Sequence, residues 1–240
     1  MYRLPDNTPE ILRRHGLKVK VVPGWKTRGR PASTGGFSPV GVLCHHTATT
    51  VAWTLAAVLR LLTGGRSGLP GPLCQFGLDR AGTVWLVAAG RANHAGQARS
   101  VGSVAAGDGN ELYFGIEAFN SGTGEPWPAV QYNAYVLLAA VLQVEFTKNS
   151  ARAVSGHKET STTGKIDPTF DMNVFRQRVA AMMVQITEDD TTPKPVSRGD
   201  NVDAAQASLR KARRASQGAR KAKVQAVLDE LKKIQPFGSK

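Results

Sequence analysis

Five histidines, His15, His45, His46, His94 and His157, are the first residues to ask for a chemical role. A lone histidine is usually a surface or hydrogen-bonded structural group, but two places here depart from that. His45 and His46 end the apolar run VGVLCHH (40–46) and face opposite sides by strand alternation. His157 lies in GHKETSTTGKIDP (156–168), which holds a histidine, two lysines, a glutamate and an aspartate, with Ile166 its one sizeable apolar side chain. That composition argues against a core strand or a buried helix face and for a polar, glycine-flanked loop. An apolar strand ending in histidine, joined by a histidine and an aspartate from a distant loop, can close three sides of a tetrahedral zinc site. Catalytic zinc takes three N or O protein ligands and leaves the fourth position open. Spacing alone does not select this reading, because the chain has no local HExxH or CxxC motif.

The elements that would position these groups follow from periodicity. A short helix starts at Thr8-Pro9-Glu10 and stops at Gly16, and LKVKVV (17–22) alternates as a strand. After a Gly-, Pro- and Arg-rich loop (23–36), residues 40–46 form a strand, and Thr50 caps a helix through 53–62. LCQFGLD (73–79) and TVWLVAA (83–89) flank Arg80-Ala81-Gly82 as a hairpin. Residues 91–110 form a long glycine-rich loop of the kind that carries function, and LYFGIEAFN (112–120) is a strand. Pro128 opens a helix to about Lys148, with Ala134, Leu137, Leu138, Val141 and Val144 as its buried stripe. Asp171 caps a further helix whose apolar face holds Met172, Phe175, Val179, Met182, Met183 and Ile186. The expectation is an α/β (α+β) fold with a central mixed sheet of about five strands flanked by helices.

Composition adds a boundary. The chain of 240 residues is 41% hydrophobic and carries a net charge of +13. Residues 191–240 hold 12 Lys and Arg against 4 Asp and Glu, a net +8 of that total. The expected organisation is a body over 1–187 with a lead-in over 1–36, a charged, proline-bearing linker over 188–201, and a basic helical segment over 202–240. Two cysteines, Cys44 and Cys74, cannot make a disulfide framework and read as buried thiols. The N-terminus shows no apolar signal region, and no run reaches the ~18 apolar residues of a membrane span. The expectation is a protein made in the cytoplasm. A basic surface attracts polyanions without choosing among nucleic acid, lipid and wall polymer.

The pieces VLCHHTAT (42–49), QFGLDRAGTVW (75–85), NHAG (93–96), YFGIEAFN (113–120) and GHKETSTTGKIDP (156–168) follow in this order. Together they resemble the zinc-dependent N-acetylmuramoyl-L-alanine amidases of the amidase-2 type, related to peptidoglycan recognition proteins, and most of all endolysin domains from phages of actinobacteria. The resemblance spans about residues 17–187. It implies zinc ligands at His45, His157 and Asp167, a catalytic Lys165, and Glu117 as the catalytic acid/base. It also implies that His94, with its neighbour Asn93, lies at the cleft and positions substrate. The implied substrate is peptidoglycan, cut between N-acetylmuramic acid and L-alanine. Without the resemblance, Glu117 reads equally as a solvent-facing strand residue, Lys165 as a solvated loop lysine, and Lys158 and Glu159 as surface groups. His46 reads as structural.

Two departures stand out. Thr160-Ser161-Thr162-Thr163-Gly164 replaces the Trp-Ala-Pro-Gly common in such endolysins, and Cys74 stands where some relatives use a tyrosine. The resemblance implies a lytic enzyme held in the host cytoplasm until a membrane lesion releases it to the wall. A cytosolic amidase recycling soluble muropeptides and a non-catalytic peptidoglycan-binding module are the alternatives. The basic segment either binds anionic wall polymer or packs and self-associates through Val227, Leu228, Leu231 and Ile234; no dedicated nucleic-acid partner is indicated, and the oligomeric state is open.

Overall fold

The computed structural model describes residues 1–191. Of the linker expected over 188–201, residues 188–191 instead belong to the last described helix; residues 192–201 and the whole basic segment 202–240 lie outside the described residues. In chain order the elements begin with α1 (Thr8–Arg14), β1 (Lys18–Val21), β2 (Gly41–His46) and α2 (Leu55–Gly64). A small hairpin, β3 (Gly65–Arg66) and β4 (Leu69–Pro70), precedes β5 (Phe76–Leu78) and β6 (Thr83–Leu86). The long loop contains β7 (Gln97–Ala98), β8 (Gly107–Asp108) and the single turn α3 (Gly109–Leu112). Then follow β9 (Tyr113–Ala118), α4 (Ala129–Val141), β10 (Val154–Gly156), the turn α5 (His157–Thr160) and α6 (Met172–Thr191).

Six strands form one sheet in the order β1-β6-β5-β9-β2-β10. All neighbours are parallel except β5 and β6, which the Asp79–Thr83 turn joins as a hairpin. The register sorts side chains by face. His45 lies opposite Glu117, Leu43 opposite both Gly115 and Ser155, and Gly77 opposite Glu117. These residues share one face. Val42, Cys44, Phe114, Ile116, Ala118, Phe76 and Leu78 occupy the other and pack with α4 and α6 into the main core. Its aromatic centre joins Tyr135, Phe170 and Phe175, the last two stacked 4.8 Å apart.

The face bearing His45 has a thinner cover. Over β5 lies α2, which packs Val58 and Leu62 on Leu73, Cys74, Val87 and Phe119. The long loop covers Leu43 and Tyr113 with Ala98 and Val104.

The sheet has six strands rather than five; the addition is β10, three residues that follow a short helical turn at Ala151–Ala153. Thr54, not Thr50, caps α2, its hydroxyl accepting from Ala57 N–H at 3.2 Å. On α4 the buried residues are Gln131, Tyr135, Val136, Leu138, Ala139, Ala140 and Val141, so Ala134, Leu137 and Val144 flank the stripe rather than form it. The helix continues to Thr147 in wider, π-type turns. Over 129–147 it is long and apolar enough to cross a membrane by composition, but half of that stretch is buried and it serves here as the core helix. Asp171 caps α6 as expected, accepting from Asn173 and Val174 N–H.

Candidate metal centre and active site

Two strands and a loop meet at one place. β2 delivers His45, β10 runs directly into His157, and the loop after α5 returns with Asp167. Their ligand atoms converge: His45 Nδ1 is 3.0 Å from His157 Nδ1 and 3.0 Å from Asp167 Oδ2, and His157 Nδ1 is 3.2 Å from Asp167 Oδ2. All three residues are buried, His45 with 1% of its surface exposed. The stretch 156–168 is therefore not a solvated loop throughout, since His157, Thr160, Ser161 and Asp167 are buried in it. Its middle, Thr162 to Ile166, stays exposed.

The charges report what such packing costs. Burial, then the neighbouring His157, pushes the His45 pKa down to about 4, against the pull of Asp167. Asp167 lies below the usual carboxylate range: burial raises it, but hydrogen bonds with His157 and His45 outweigh that. One N–H on His45 cannot serve both neighbours of Nδ1, and two imidazole nitrogens at 3.0 Å repel unless a proton or a cation lies between them. A dication satisfies all three lone pairs together. Two nitrogens and one carboxylate oxygen suit zinc, whose tetrahedral ligands stand about 3.3 Å apart. The donor set and spacing fit that ion.

Glu117 lies beside this cluster on the same face. Its Oε2 is sealed from solvent and has no hydrogen-bond partner. Burial, then Asp167, pushes its pKa well above the ordinary range, and Lys165 pulls it back. Glu117 is thus not a solvent-facing strand residue. Lys165 is exposed at the rim, close enough for its charge to act on Glu117. His94 meets the cluster from the long loop, its Nδ1 3.0 Å from His45 Nε2. Burial, then His45 and His157, keeps the His94 pKa well below the usual range, so the ring is neutral. Asn93 is engaged elsewhere: its amide donates to the Pro70 carbonyl at 3.2 Å, and it lines a small polar cavity with Arg30, Thr34, Arg91 and Asn110.

Several supports have no sequence motif. Glu159 is half-buried rather than a surface group. It accepts from Gly156 N–H at 2.8 Å and pairs bidentately with Arg176 of α6 at 2.8 and 3.0 Å, pinning the turn that carries His157. Its position three residues beyond Gly156, as in a capping box, was the available signal. Lys158 donates to the Phe170 carbonyl at 2.7 Å and is likewise half-buried. From the opposite face the Tyr135 hydroxyl accepts from His45 N–H at 2.8 Å and faces the carbonyls of His45 and Ile116. His46 points to that face as expected, packed so tightly on Gly122 that a Cβ there would stand 2.2 Å from its Nε2. Cys44 and Cys74 are buried and free, and neither joins the ligand cluster.

Comparison with known proteins gives a fold and a family. No curated protein matches the chain. Among solved structures it is similar to PlyL, at 18% identity and a TM-score of 0.50 over 69% of this chain and 98% of that one. A selenomethionine derivative of AmpD gives 18% and 0.50 over 68% and 93%. The endolysin amidase LysCS from Clostridium intestinale URNW gives 18% and 0.48 over 68% and 95%. At these identities the likeness concerns the fold. The family model for N-acetylmuramoyl-L-alanine amidase matches residues 36–170, more than half of the chain and the whole of the ligand cluster, and the chain belongs to that family.

Proposed function

We propose that this chain hydrolyses the amide joining the lactyl group of N-acetylmuramic acid to L-alanine in peptidoglycan, using zinc held by His45, His157 and Asp167. The observation that carries the reading is the convergence of those three ligand atoms beside half-buried Glu117, whose Oε2 is sealed and unpartnered. When bound, zinc supplies a Lewis acid that polarises the amide carbonyl and lowers the pKa of a water molecule.

The chain's own groups do the rest. Glu117, its pKa raised, accepts the proton of the attacking water and passes it to the departing amine of L-alanine. The C–N bond breaks as the new C–O bond forms, leaving a muramyl lactate carboxyl and a free amine. The exposed Lys165 ammonium meets the negative charge that builds on the carbonyl oxygen. Asp167 and the two ligand histidines hold the site together, and the Asp167 carboxylate meets part of the charge of a dication. The basic composition of residues 191–240 favours action on intact, anionic wall over trimming of soluble muropeptides.

The test is mass spectrometry of digests of purified sacculi. The expected product is a stem peptide with a new free L-alanine N-terminus on an otherwise intact glycan. Asp167→Ala should lose both hydrolysis and stoichiometric zinc. Full activity after exhaustive chelation sinks the metal mechanism, and activity confined to soluble muropeptides sinks the lytic setting.

A further inference from the structure

We propose that His94 is a positioning residue for the ligand His45: it accepts the His45 Nε2–H through its own Nδ1 and so fixes which nitrogen of His45 faces the metal. The inference rests on His45 being a ligand and goes beyond it.

An imidazole that binds a cation through Nδ1 must carry its proton on Nε2. In His45, Nδ1 is the atom turned toward His157 and Asp167, and Nε2 is the atom turned toward His94, at 3.0 Å. His45 is sealed from water, so an Nε2–H needs a protein acceptor. Without one, the proton is better placed on Nδ1, where Asp167 Oδ2 at 3.0 Å accepts it. That tautomer has no lone pair left for a metal. The two rings stand at 85° with centroids 5.1 Å apart. With Nε2 and Nδ1 3.0 Å apart, that separation fits an N–H of one ring directed at the lone pair of the other.

The role puts the proton of His94 on its Nε2, a buried atom with no hydrogen-bond partner, and the surroundings hold the ring there against that cost. Asn110 Oδ1 accepts from both His94 N–H at 2.7 Å and Ala95 N–H at 2.8 Å. Asp108 Oδ1 in turn accepts from Asn110 N–H at 2.9 Å. Asn93 N–H donates to the Pro72 carbonyl at 2.8 Å. The ring itself lies flat on β9 at Gly115, where a Cβ would stand 2.8–2.9 Å from three of its atoms. Only a glycine there admits the ring. Gly115 is a strand residue with ordinary backbone angles, so the missing side chain serves clearance and not a turn. Outer partners of ligating histidines typically set metal affinity by about 10–100-fold.

The experiment is zinc competition against a chromogenic chelator with the intact chain, together with histidine 1H–15N spectra of the metal-free protein. The wild type should show His45 protonated at Nε2. His94→Ala should weaken zinc by about 10–100-fold and move that proton to Nδ1. His94→Asn places an amide oxygen near the former Nδ1 and should restore most of the affinity. Gly115→Ala keeps every histidine, displaces the ring, and should weaken zinc in the same direction. His45 protonated at Nδ1 in the wild type overturns the proposal, whatever the variants do. So does His94→Ala with unchanged zinc affinity and only a raised KM, the signature of a substrate-positioning role. His45→Ala separates the levels: if it binds zinc like wild type, the ligand assignment itself has failed.

Discussion

His45 and His46 are neighbours in sequence and opposites in fate. Both are buried, and both end the same strand. His45 faces the side where two further ligands and half-buried Glu117 converge. His46 faces the helix-covered side and is wedged on Gly122, its Nδ1 without a partner. The same contrast holds for the whole sheet. One face is an aromatic and aliphatic core whose energy comes from area and fit. The other gives up such packing for polar groups that leave one another unsatisfied. Function is concentrated where packing is thin, and rigidity is supplied from behind, as Tyr135 does for His45.

The comparison can be pushed hardest at Glu117. Glu117→Gln should keep zinc and lower kcat by about 100- to 10,000-fold, which metal analysis and single-turnover kinetics would separate. The same residue sets a pH limb. A base must be ionised to work, and burial with Asp167 raises its pKa while Lys165 lowers it. Activity should therefore fall with acidification at a pH above the ordinary glutamate range, and Lys165→Ala should move that limb further up. The Cys74 thiol also interacts with Glu117; burial and then Glu117 push it up, so it stays neutral there. A limb at ordinary glutamate pH would mean that the buried geometry does not persist in the working enzyme.

On the helix-covered face the prediction inverts. Phe175→Ala removes a fully buried ring and should cost about 3–5 kcal/mol of stability by denaturant melting. The folded fraction should still bind zinc with wild-type affinity. The smallest effect belongs to the latch between the faces. Arg176→Ala leaves Glu159 without its bidentate partner and should cost about 1–3 kcal/mol. It should also loosen zinc, because the turn it pins carries His157. If it lowers melting alone, the latch is structural only.

Much of this contrast was legible in the sequence because alternation has period two. It placed His45 and Glu117 on their own faces and His46 away from them, and helical period placed Phe175, Val179 and Ile186 on one side of α6. What escaped was set by tertiary contact. A three-residue strand such as β10 has no pattern of its own; pairing with β2 defines it. GHKETSTTGKIDP is polar yet partly buried, since Lys158 and Glu159 bond Phe170 and Arg176 while His157 and Asp167 turn inward to His45, which composition does not reveal. The stripe on α4 is rotated because that helix is covered on more than one side, so an amphipathic template misplaces its centre. Thr54 replaced Thr50 as cap because either threonine meets the local rule, and the turn between them decides.

The three ligands are also far apart along the chain. His45 meets His157 across 112 residues and Asp167 across 122. No partly folded segment can assemble that set, and it exists only once β2 has paired with both β9 and β10. A cation bound there therefore recognises the completed topology and nothing earlier. By mass action, free metal at a hundred times its dissociation constant would add about 2.7 kcal/mol to the native state. The thin face, weakest in packing, is then the one whose stability the surrounding solution can adjust.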